Sequence, residues 1–277
     1  MAGEALLEVR QLSKRFGGLV VVDRLDLEVR RGEIVGLVGP NGAGKTVTFD
    51  MVSGFLRPDS GVVMFQGQDV TVLPPHARSR LGLVRTFQNV RLFRQATVEE
   101  NVRLGAYRHR RAGSFHLLSR PSQGDDAVLR RLVDGLLDLT GLEQHRDVIA
   151  DHLPYGEHRV LSIAIALAAN PKLLLLDEPF VGMNDTEAQR CLKLIQAIRD
   201  RGVSVLVIDH HVETLASGCD RMVVMHYGQK LADGLPEQVV NNPQVIEAYL
   251  GVQGAPGEPP SLTRPTRAGS TLLELEG

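Results

Sequence analysis

A glycine-rich loop between an apolar run and a helix-compatible segment limits the possible folds of this chain more than any other feature. Residues 34–38 are apolar, and residues 39–46 follow them with the spacing G-x-x-x-x-G-K-[ST]. Glycines let backbone N–H groups turn inward around phosphate oxygens, where bulkier side chains would close the space. The pattern predicts a strand, a tight loop and a helix that bind a nucleoside triphosphate. The residues expected to bind it are Gly39, Pro40, Asn41, Gly42, Ala43, Gly44, Lys45 and Thr46.

Two residues of this loop carry chemistry of their own. Lys45 supplies a point charge to the β- and γ-phosphates, and Thr46 offers a hydroxyl to Mg²⁺. The N-terminus of the following helix adds a partial positive charge. A nucleoside triphosphate with its metal ion is therefore the expected ligand.

A second motif supplies two carboxylates. Residues 173–176 are leucines, and Asp177 and Glu178 follow them. A buried strand that ends in a carboxylate can hold Asp177 beside Mg²⁺, while Glu178 faces the γ-phosphate and polarises water. The alternative is a strand with a polar end, which is common for a single carboxylate. Two carboxylates in succession favour the functional interpretation.

The apolar runs indicate an α/β fold. Residues 173–176 and 203–208 form near-continuous apolar runs, which are typical of strands covered by helices on both faces and predict a parallel core sheet. The segments 6–9, 25–29 and 62–65 predict strands of an antiparallel flank. From about residue 89 to residue 169 the pattern becomes helical and charged.

The C-terminal residues 252–277 are rich in Gly, Pro, Ser and Thr, which predicts a flexible tail. Residues 271–276 resemble residues 5–10 at the start of the chain. Chance explains a similarity of six residues. The alternative is that a linker leads into a second, similar domain.

Composition excludes several classes of protein. An apolar content of 43% allows a large core, but no apolar run approaches the roughly 20 residues of a bilayer-spanning helix. The first residues lack the features of a signal peptide, which predicts a cytoplasmic address. A formal charge of -2 and the absence of Trp argue against a nucleic-acid partner. Cys191 and Cys219 are predicted to be ordinary buried thiols.

Together these motifs resemble the ABC-transporter ATP-binding family over roughly residues 6–251, because several of them occur in the family's order. The resemblance implies a P-loop NTPase (RecA-like) fold, with a parallel core sheet, an antiparallel β flank and a helical subdomain. It implies an ATPase domain over 1–251, a helical subdomain at about 89–169, and the tail at 252–277. The implied activity is ATP hydrolysis, with ATP and Mg²⁺ as cofactors.

The resemblance also implies roles for single residues. Phe16 matches the aromatic residue that stacks on adenine, although a core phenylalanine is the commoner case. Gln88 matches the glutamine that contacts Mg²⁺ and water and senses the membrane partner. His210 matches the switch histidine that hydrogen-bonds the γ-phosphate, although a structural histidine is the commoner case. The implied catalytic residues are Glu178, His210 and Gln88, and the implied metal ligands are Thr46, Gln88 and Asp177.

Residues 153–157 stand where the family has its signature sequence LSGGQ, before a helix that faces the γ-phosphate held by a second subunit. Tyr155 and Gly156 are therefore expected to contact nucleotide. Pro154 replaces a serine, and Glu157 brings a carboxylate where an amide is usual, so attraction for phosphate should fall. A complete nucleotide site with an altered signature favours a heterodimer of unlike ATP-binding subunits over a homodimer.

Within the family, segments 15–19, 84–93 and 241–251 resemble the branched-chain amino acid importer group. This implies integral membrane permease subunits, an external solute-binding protein, and a peripheral position at the cytoplasmic face of the cell membrane. One alternative is a soluble ABC ATPase that acts on ribosomes or DNA, but such proteins usually carry two ATPase domains or long coiled coils. Another is a GTPase switch, but no guanine-reading Asn-Lys-x-Asp element occurs.

Overall fold

The computed structural model describes residues 4–86, 92–106 and 123–250. Within these residues the chain forms ten β-strands in two sheets and nine α-helices. The strands are β1 (Ala5–Phe16), β2 (Leu19–Arg30), β3 (Ile34–Val38), β4 (Ser60–Phe65), β5 (Gln68–Asp69), β6 (Leu83–Arg85), β7 (Leu173–Asp177), β8 (Ser204–Ile208), β9 (Arg221–His226) and β10 (Gln229–Gly234). The helices are α1 (Lys45–Ser53), α2 (Pro75–Leu81), α3 (Val98–Gly105), α4 (Gln123–Thr140), α5 (Tyr155–Ala168), α6 (Asp185–Asp200), α7 (Val212–Ala216), α8 (Pro236–Val240) and α9 (Pro243–Leu250).

The larger sheet has six strands in the order β10-β9-β3-β8-β7-β6. Five of these strands pair in parallel, namely β3, β6, β7, β8 and β9. The sixth, β10, pairs antiparallel with β9 at one edge. Every residue of β3, β7 and β8 is buried. Both faces of these strands are covered by other elements, which explains their near-continuous apolar sequences. The predicted parallel core sheet is confirmed.

The smaller sheet is antiparallel, with the strand order β2-β1-β4-β5. Its first two strands are longer than the predicted segments 6–9 and 25–29. The pairing of β1 with β2 shifts register at several points, and Gln11 and Arg24 have positive φ angles of 50° and 46°. Such irregularities interrupt the alternation of apolar and polar residues that identifies a strand in a sequence. The antiparallel flank is therefore confirmed, but with longer strands.

Two hydrophobic cores lie on opposite faces of the six-stranded sheet. Ile34 and Val38 of β3 belong to one core, and Val35 and Leu37 belong to the other. This division arises because successive residues of a strand point to opposite faces. The first core includes residues of α5 and α6, and the second includes residues of α1 and the antiparallel sheet. The cores therefore fix the direction in which β3 delivers the loop that follows it.

Helices dominate the described residues between 92 and 169. They form α3, α4, α5 and two short 3-10 turns, with one isolated bridge between Thr97 and Ile149. A Cβ on Gly105 would overlap the carbonyl oxygen of Ile165, so a glycine allows α3 to approach α5 closely. Across the described ranges, every helix falls short of the length and apolarity that crossing a bilayer requires. The predicted helical character is confirmed, and the exact division into domains stays a prediction.

The far end of α1 is anchored by a buried arginine of α2. The guanidinium of Arg78 donates to the carbonyl oxygens of Met51 and Val52 at 2.7 and 2.6 Å. It also donates to the carbonyl oxygens of Leu73 and Thr71 at 2.9 and 2.8 Å. Burial lowers the pKa of Arg78 to about 10. The last carbonyls of a helix have no partner within it, and this side chain supplies one for α1.

Candidate functional site

The carboxyl ends of four neighbouring strands meet at one edge of the six-stranded sheet. Leu37 of β3 lies beside Ile208 of β8, and Ile208 lies beside Asp177 of β7. The fourth strand, β6, ends with Arg85 beside Leu175. Parallel strands present their carboxyl ends on the same side, where ligands bind in open α/β sheets. The structure therefore brings the glycine-rich loop and the two carboxylates to one edge.

The glycine-rich loop after β3 requires glycine at both ends. Gly39 and Gly44 have φ angles of 151° and 98°, a region that disfavours residues with side chains. A Cβ on Gly39 would overlap the carbonyl oxygen of Met225, and one on Gly44 would lie 2.6 Å from that of Val21. Neighbouring strands therefore enforce the loop conformation. Pro40 and Ala43 are buried beneath the loop, whereas Asn41, Gly42 and Thr46 are exposed on its open side.

Lys45 begins α1 and points back into its own loop. Its ammonium group donates to the carbonyl oxygens of Gly39 and Pro40 at 2.6 and 2.9 Å. Burial lowers the pKa of Lys45, and the negative charges of Glu178 and Asp209 oppose this shift. Carbonyl dipoles compensate a buried charge less well than an anion does. A triphosphate in the loop would therefore improve the surroundings of the ammonium group.

Asp177 ends β7 as a buried carboxylate with an arginine partner. Its Oδ2 accepts a hydrogen bond from Arg85 Nη2 at 2.7 Å. Through Nη1, Arg85 also donates to Asp50 and Ser53 of α1, at 2.6 and 2.9 Å. Nothing in the sequence singles out Arg85 for this role, because the last residue of a three-residue strand has no periodicity to place it. Arg85 is a residue of the site that only the structure identifies.

Glu178 has a backbone conformation that is rare for a residue with a side chain. Its φ angle is 48°, and its N–H donates to the carbonyl oxygen of Ile208 at 2.8 Å. Strained conformations of this kind concentrate at functional sites. The charge of Glu178 also acts on Lys45, whose pKa it raises against the effect of burial. Glu178 therefore lies within electrostatic range of the phosphate loop's lysine.

Asp209 organises the turn after β8. Its carboxylate is fully buried, and Oδ1 accepts from the N–H groups of His210 and His211 at 2.8 and 3.0 Å. The other oxygen, Oδ2, accepts from the N–H of Phe180 at 3.1 Å. Nδ1 of His211 lies 2.6 Å from Oδ1, and the His210 ring stands beside it with centroids 4.3 Å apart. Asp209 thus links the turn of the predicted switch residue, His210, to the turn after β7.

Phe16 ends β1 with its side chain about half exposed. The ammonium group of Lys14 lies 5.7 Å from the centroid of its ring. The alternative of a core phenylalanine is therefore wrong, and part of the side chain is accessible to a ligand.

The altered signature lies at the start of α5. Pro154 is the N-cap residue, so Tyr155 and Gly156 occupy the first turn. The Tyr155 ring packs on Gly182, where a Cβ would lie 2.5 Å from a ring carbon. Arg159 Nη2 donates to the hydroxyl of Tyr155 at 3.0 Å. The helix start is thereby joined to the turn that follows β7.

Two carboxylates border this helix start. Oε2 of Glu157 lies 2.9 Å from Nδ1 of His145. Glu187 forms a capping box with Asn184 at the start of α6, and its Oε1 would lie 3.5 Å from a Cβ on Gly156. The positive end of a helix favours anions, but nearby carboxylates oppose that attraction.

Some predictions fall outside the described residues. Gln88 is one of them, and residues 252–277, with the similarity at 271–276, are others. The roles implied for these residues stay predictions.

Two family models match the chain. The model for the ABC transporter family matches residues 22–181, which include the phosphate loop and both carboxylates. A model for the branched-chain amino acid ATP-binding cassette transporter matches residues 229–255.

Curated relatives match nearly their whole length. The high-affinity branched-chain amino acid transport ATP-binding protein LivG of Escherichia coli is 40% identical over 90% of this chain and 98% of its own. The corresponding protein BraF of Pseudomonas aeruginosa is 39% identical over 89% of this chain and 98% of its own. The lipopolysaccharide export system ATP-binding protein LptB of Haemophilus influenzae is 39% identical over 90% of this chain and 98% of its own.

Solved structures share the fold. A nucleotide-free ATP-binding cassette from an ABC transporter has a TM-score of 0.76 at 26% identity, over 89% of this chain and 99% of its own. The ADP conformation of another ATP-binding cassette of an ABC transporter has a TM-score of 0.78 at 28% identity, over 90% of this chain and 99% of its own. Because the ABC transporter family model matches residues 22–181 and relatives 39–40% identical to the chain match nearly their whole length, this chain belongs to the ABC transporter family, as an ATP-binding and ATP-hydrolysing cassette.

Proposed function

We propose that this cassette energises the import of branched-chain amino acids through a separate permease. Overall identity does not separate this function from others, because LivG and LptB are 40% and 39% identical to the chain. The observation that carries the proposal is the match of residues 229–255 to the branched-chain amino acid cassette model. The alternative of a soluble ATPase on ribosomes or DNA loses support, because these relatives are named as transport proteins.

The proposed chemistry uses the residues at the carboxyl edge of the sheet. The amides of the loop and Lys45 bind the phosphates, and Phe16 stacks on adenine. Glu178 polarises a water molecule for in-line attack on the γ-phosphate, and His210 hydrogen-bonds that phosphate. Positioning and charge compensation supply most of the catalysis in phosphoryl transfer, which suits a site built from a fixed loop and buried charges.

The donor groups at this edge fit Mg²⁺. Asp177 offers a carboxylate and Thr46 an exposed hydroxyl at the start of α1, and oxygen ligands are those that this cation prefers. When bound with ATP, Mg²⁺ neutralises charge on the phosphate oxygens. Gln88 is proposed as a further ligand on the strength of the family resemblance.

A heterodimer with an unlike ATP-binding subunit is the proposed assembly. Tyr155 and Gly156 begin α5, where the family places contacts to the nucleotide of the second subunit. Glu157 and Glu187 bring negative charge to that helix start, and such charge weakens the attraction for a γ-phosphate. A partner with an unaltered signature would complete the nucleotide site of this chain. The altered signature would then face the partner's nucleotide.

The remaining partners follow from the proposed transport role. They are integral membrane permease subunits and an external solute-binding protein, and the cassette would lie on the cytoplasmic face of the cell membrane. Coupling requires that ATP bind the closed dimer more tightly than the open one, since equal binding would shift neither state.

Affinity purification from membranes tests the proposal. A tagged chain should co-elute with permease subunits and with a second ATP-binding subunit. In proteoliposomes of that complex, leucine with its binding protein should stimulate ATP hydrolysis, whereas lipopolysaccharide should not. The Glu178→Gln complex is the matched control for hydrolysis. Co-elution with ribosomes, or stimulation by lipopolysaccharide alone, would contradict the proposal.

A further inference from the structure

Arg85 connects three elements at the candidate site. It ends β6, its Nη2 binds Asp177 at the end of β7, and its Nη1 binds Asp50 of α1. The side chains of Arg85 and Asp177 are 7% and 5% exposed, so water screens this pair little, whereas that of Asp50 is 34% exposed. The guanidinium also stands over the Phe49 ring, 5.6 Å from its centroid. Arg85 is therefore held in place by contacts on several sides.

The shape of the guanidinium restricts the orientation of Asp177. The guanidinium is planar and rigid, so the bond from Nη1 to Asp50 fixes the direction in which Nη2 meets Asp177. The bond uses Oδ2 of Asp177. A carboxylate has two oxygens with several acceptor directions, so Oδ1 can bind a cation while Oδ2 stays with the arginine. Groups that orient a metal ligand in this manner strengthen metal binding.

Charge and orientation make opposite contributions to metal binding. The positive charge of Arg85 repels a nearby cation, so its loss would tighten metal binding if charge alone mattered. A freely rotating Asp177 would instead bind the metal less tightly, because the ligand must be ordered at the moment of binding. The two effects differ in sign, and an affinity measurement separates them.

We propose that Arg85 is a positioning residue that holds Asp177 in the orientation that accepts Mg²⁺ beside the bound triphosphate. The inference rests on the proposed metal role of Asp177. Arg85 acts through that carboxylate, and its bonds to Asp50 and Ser53 of α1 hold the guanidinium in place.

Mn²⁺ binding measured by electron paramagnetic resonance tests this inference. Full-length protein with a non-hydrolysable ATP analogue is titrated with Mn²⁺, which takes the place of Mg²⁺. Arg85→Gln should weaken Mn²⁺ binding by about tenfold, as expected for the loss of a group that orients a metal ligand. Arg85→Lys keeps the charge but loses the two-armed geometry, so it should recover only part of the affinity. Asp50→Asn removes the ion pair with α1 but leaves the hydrogen bond to Ser53, so it should give an intermediate loss.

Two further measurements separate the possible causes. Binding of a fluorescent ATP derivative in EDTA should stay within about twofold of the wild type for all variants, because the loop itself is unaltered. Asp177→Asn tests the metal role directly, and unchanged Mn²⁺ binding in that variant would refute the role on which the inference rests. Should Asp177→Asn weaken Mn²⁺ binding while both Arg85 variants leave it unchanged or tighten it, the positioning role is refuted. An equal loss of metal-free nucleotide binding also refutes it, and Arg85→Lys and Asp50→Asn allow the test if Arg85→Gln does not fold.

Discussion

Glu178 has a strained backbone conformation and carries a charged side chain at the carboxyl edge of the six-stranded sheet. Its positive φ of 48° lets the chain turn sharply after Asp177, so that two successive residues face different directions. The bond from its N–H to Ile208 holds this turn against β8. Consecutive carboxylates can thus serve separate roles, one toward the metal and one toward the attacking water.

Replacing the proposed general base should separate binding from hydrolysis. In Glu178→Gln the amide keeps the size of the side chain but cannot accept the proton, so kcat should fall by about 10²- to 10⁴-fold. ATP affinity should change little, because the loop and Lys45 are intact. Steady-state hydrolysis and equilibrium binding of labelled ATP check both expectations. Normal turnover would remove Glu178 from the role, and Asp185→Asn on exposed surface nearby provides the charge-matched control.

The two cysteines should be unreactive until the protein unfolds. Both are buried, and burial raises the pKa of Cys191 and of Cys219 to about 12 from about 9. At pH 8 the reactive thiolate is therefore scarce in the folded state. Labelling with a thiol reagent should modify neither cysteine in native protein and both in denaturant. Rapid labelling of native protein would contradict the burial of these thiols.

The same pKa shifts predict a loss of stability at high pH. Between the unfolded and folded pKa values, about 9 and about 12, the unfolded chain releases thiol protons that the folded chain retains. The free energy of unfolding should therefore fall as pH rises through this window. The free energy of unfolding is measured by urea denaturation at a series of pH values, and replacing each cysteine by alanine should make it fall less steeply with pH. An unchanged dependence on pH would show that other groups dominate.

Among the elements, α1 is held at both ends and in its middle. Lys45 fixes its start in the phosphate loop, Arg78 donates hydrogen bonds to the carbonyl oxygens of its last turn, and Arg85 binds Asp50 between them. A helix that begins at a phosphate loop must keep its N-terminus aimed at the anion. These contacts provide that alignment without relying on helix propensity.

Arg78 of α2 binds the carbonyl oxygens at the end of α1, so its loss should mainly lower the stability of the protein and should have a smaller direct effect on the site. Arg78→Met removes partners from buried carbonyl oxygens, and each unsatisfied group costs about 1–3 kcal/mol. We expect the free energy of unfolding to fall by about 3 kcal/mol or more. Urea denaturation measures the change, and Arg80→Met on the exposed face of the same helix is the matched control. Equal stability of the two variants would show that Arg78 is not an anchor.

The chain combines a complete phosphate loop with a helix start bordered by carboxylates. The ring of Tyr155 packs on Gly182, so the signature contacts the turn that follows the carboxylate motif. The phosphate loop is complete, whereas the signature at the helix start is altered, and this difference is the basis of the proposed heterodimer.

Mixing experiments test the unequal roles. Addition of an unlike ATP-binding subunit should raise ATP hydrolysis well above that of the isolated chain. Glu157→Gln should raise the activity of the isolated chain, because it removes a negative charge from the helix start that faces phosphate. Steady-state ATPase assays compare the samples at equal total protein. An isolated chain as active as the mixture, with no effect of Glu157→Gln, would favour a homodimer.

Features that depend on local spacing could be predicted from the amino-acid sequence alone. The phosphate loop at 39–46, the carboxylates at 177 and 178 and the buried strands follow from residue types a few positions apart. Short-range spacing sets backbone conformation and strand periodicity, so these features can be predicted without a fold. The antiparallel strands were predicted only in part, because their register shifts interrupt the alternation.

Contacts between residues that are distant in the sequence became visible only in the folded chain. The strand order places β8 between β3 and β7, so Asp209 stands between the loop and the carboxylate motif. Arg85 and Asp177 are 92 positions apart in the sequence, yet their side chains form one buried ion pair. Such contacts depend on how strands are ordered and how helices pack, and local residue patterns do not encode that order.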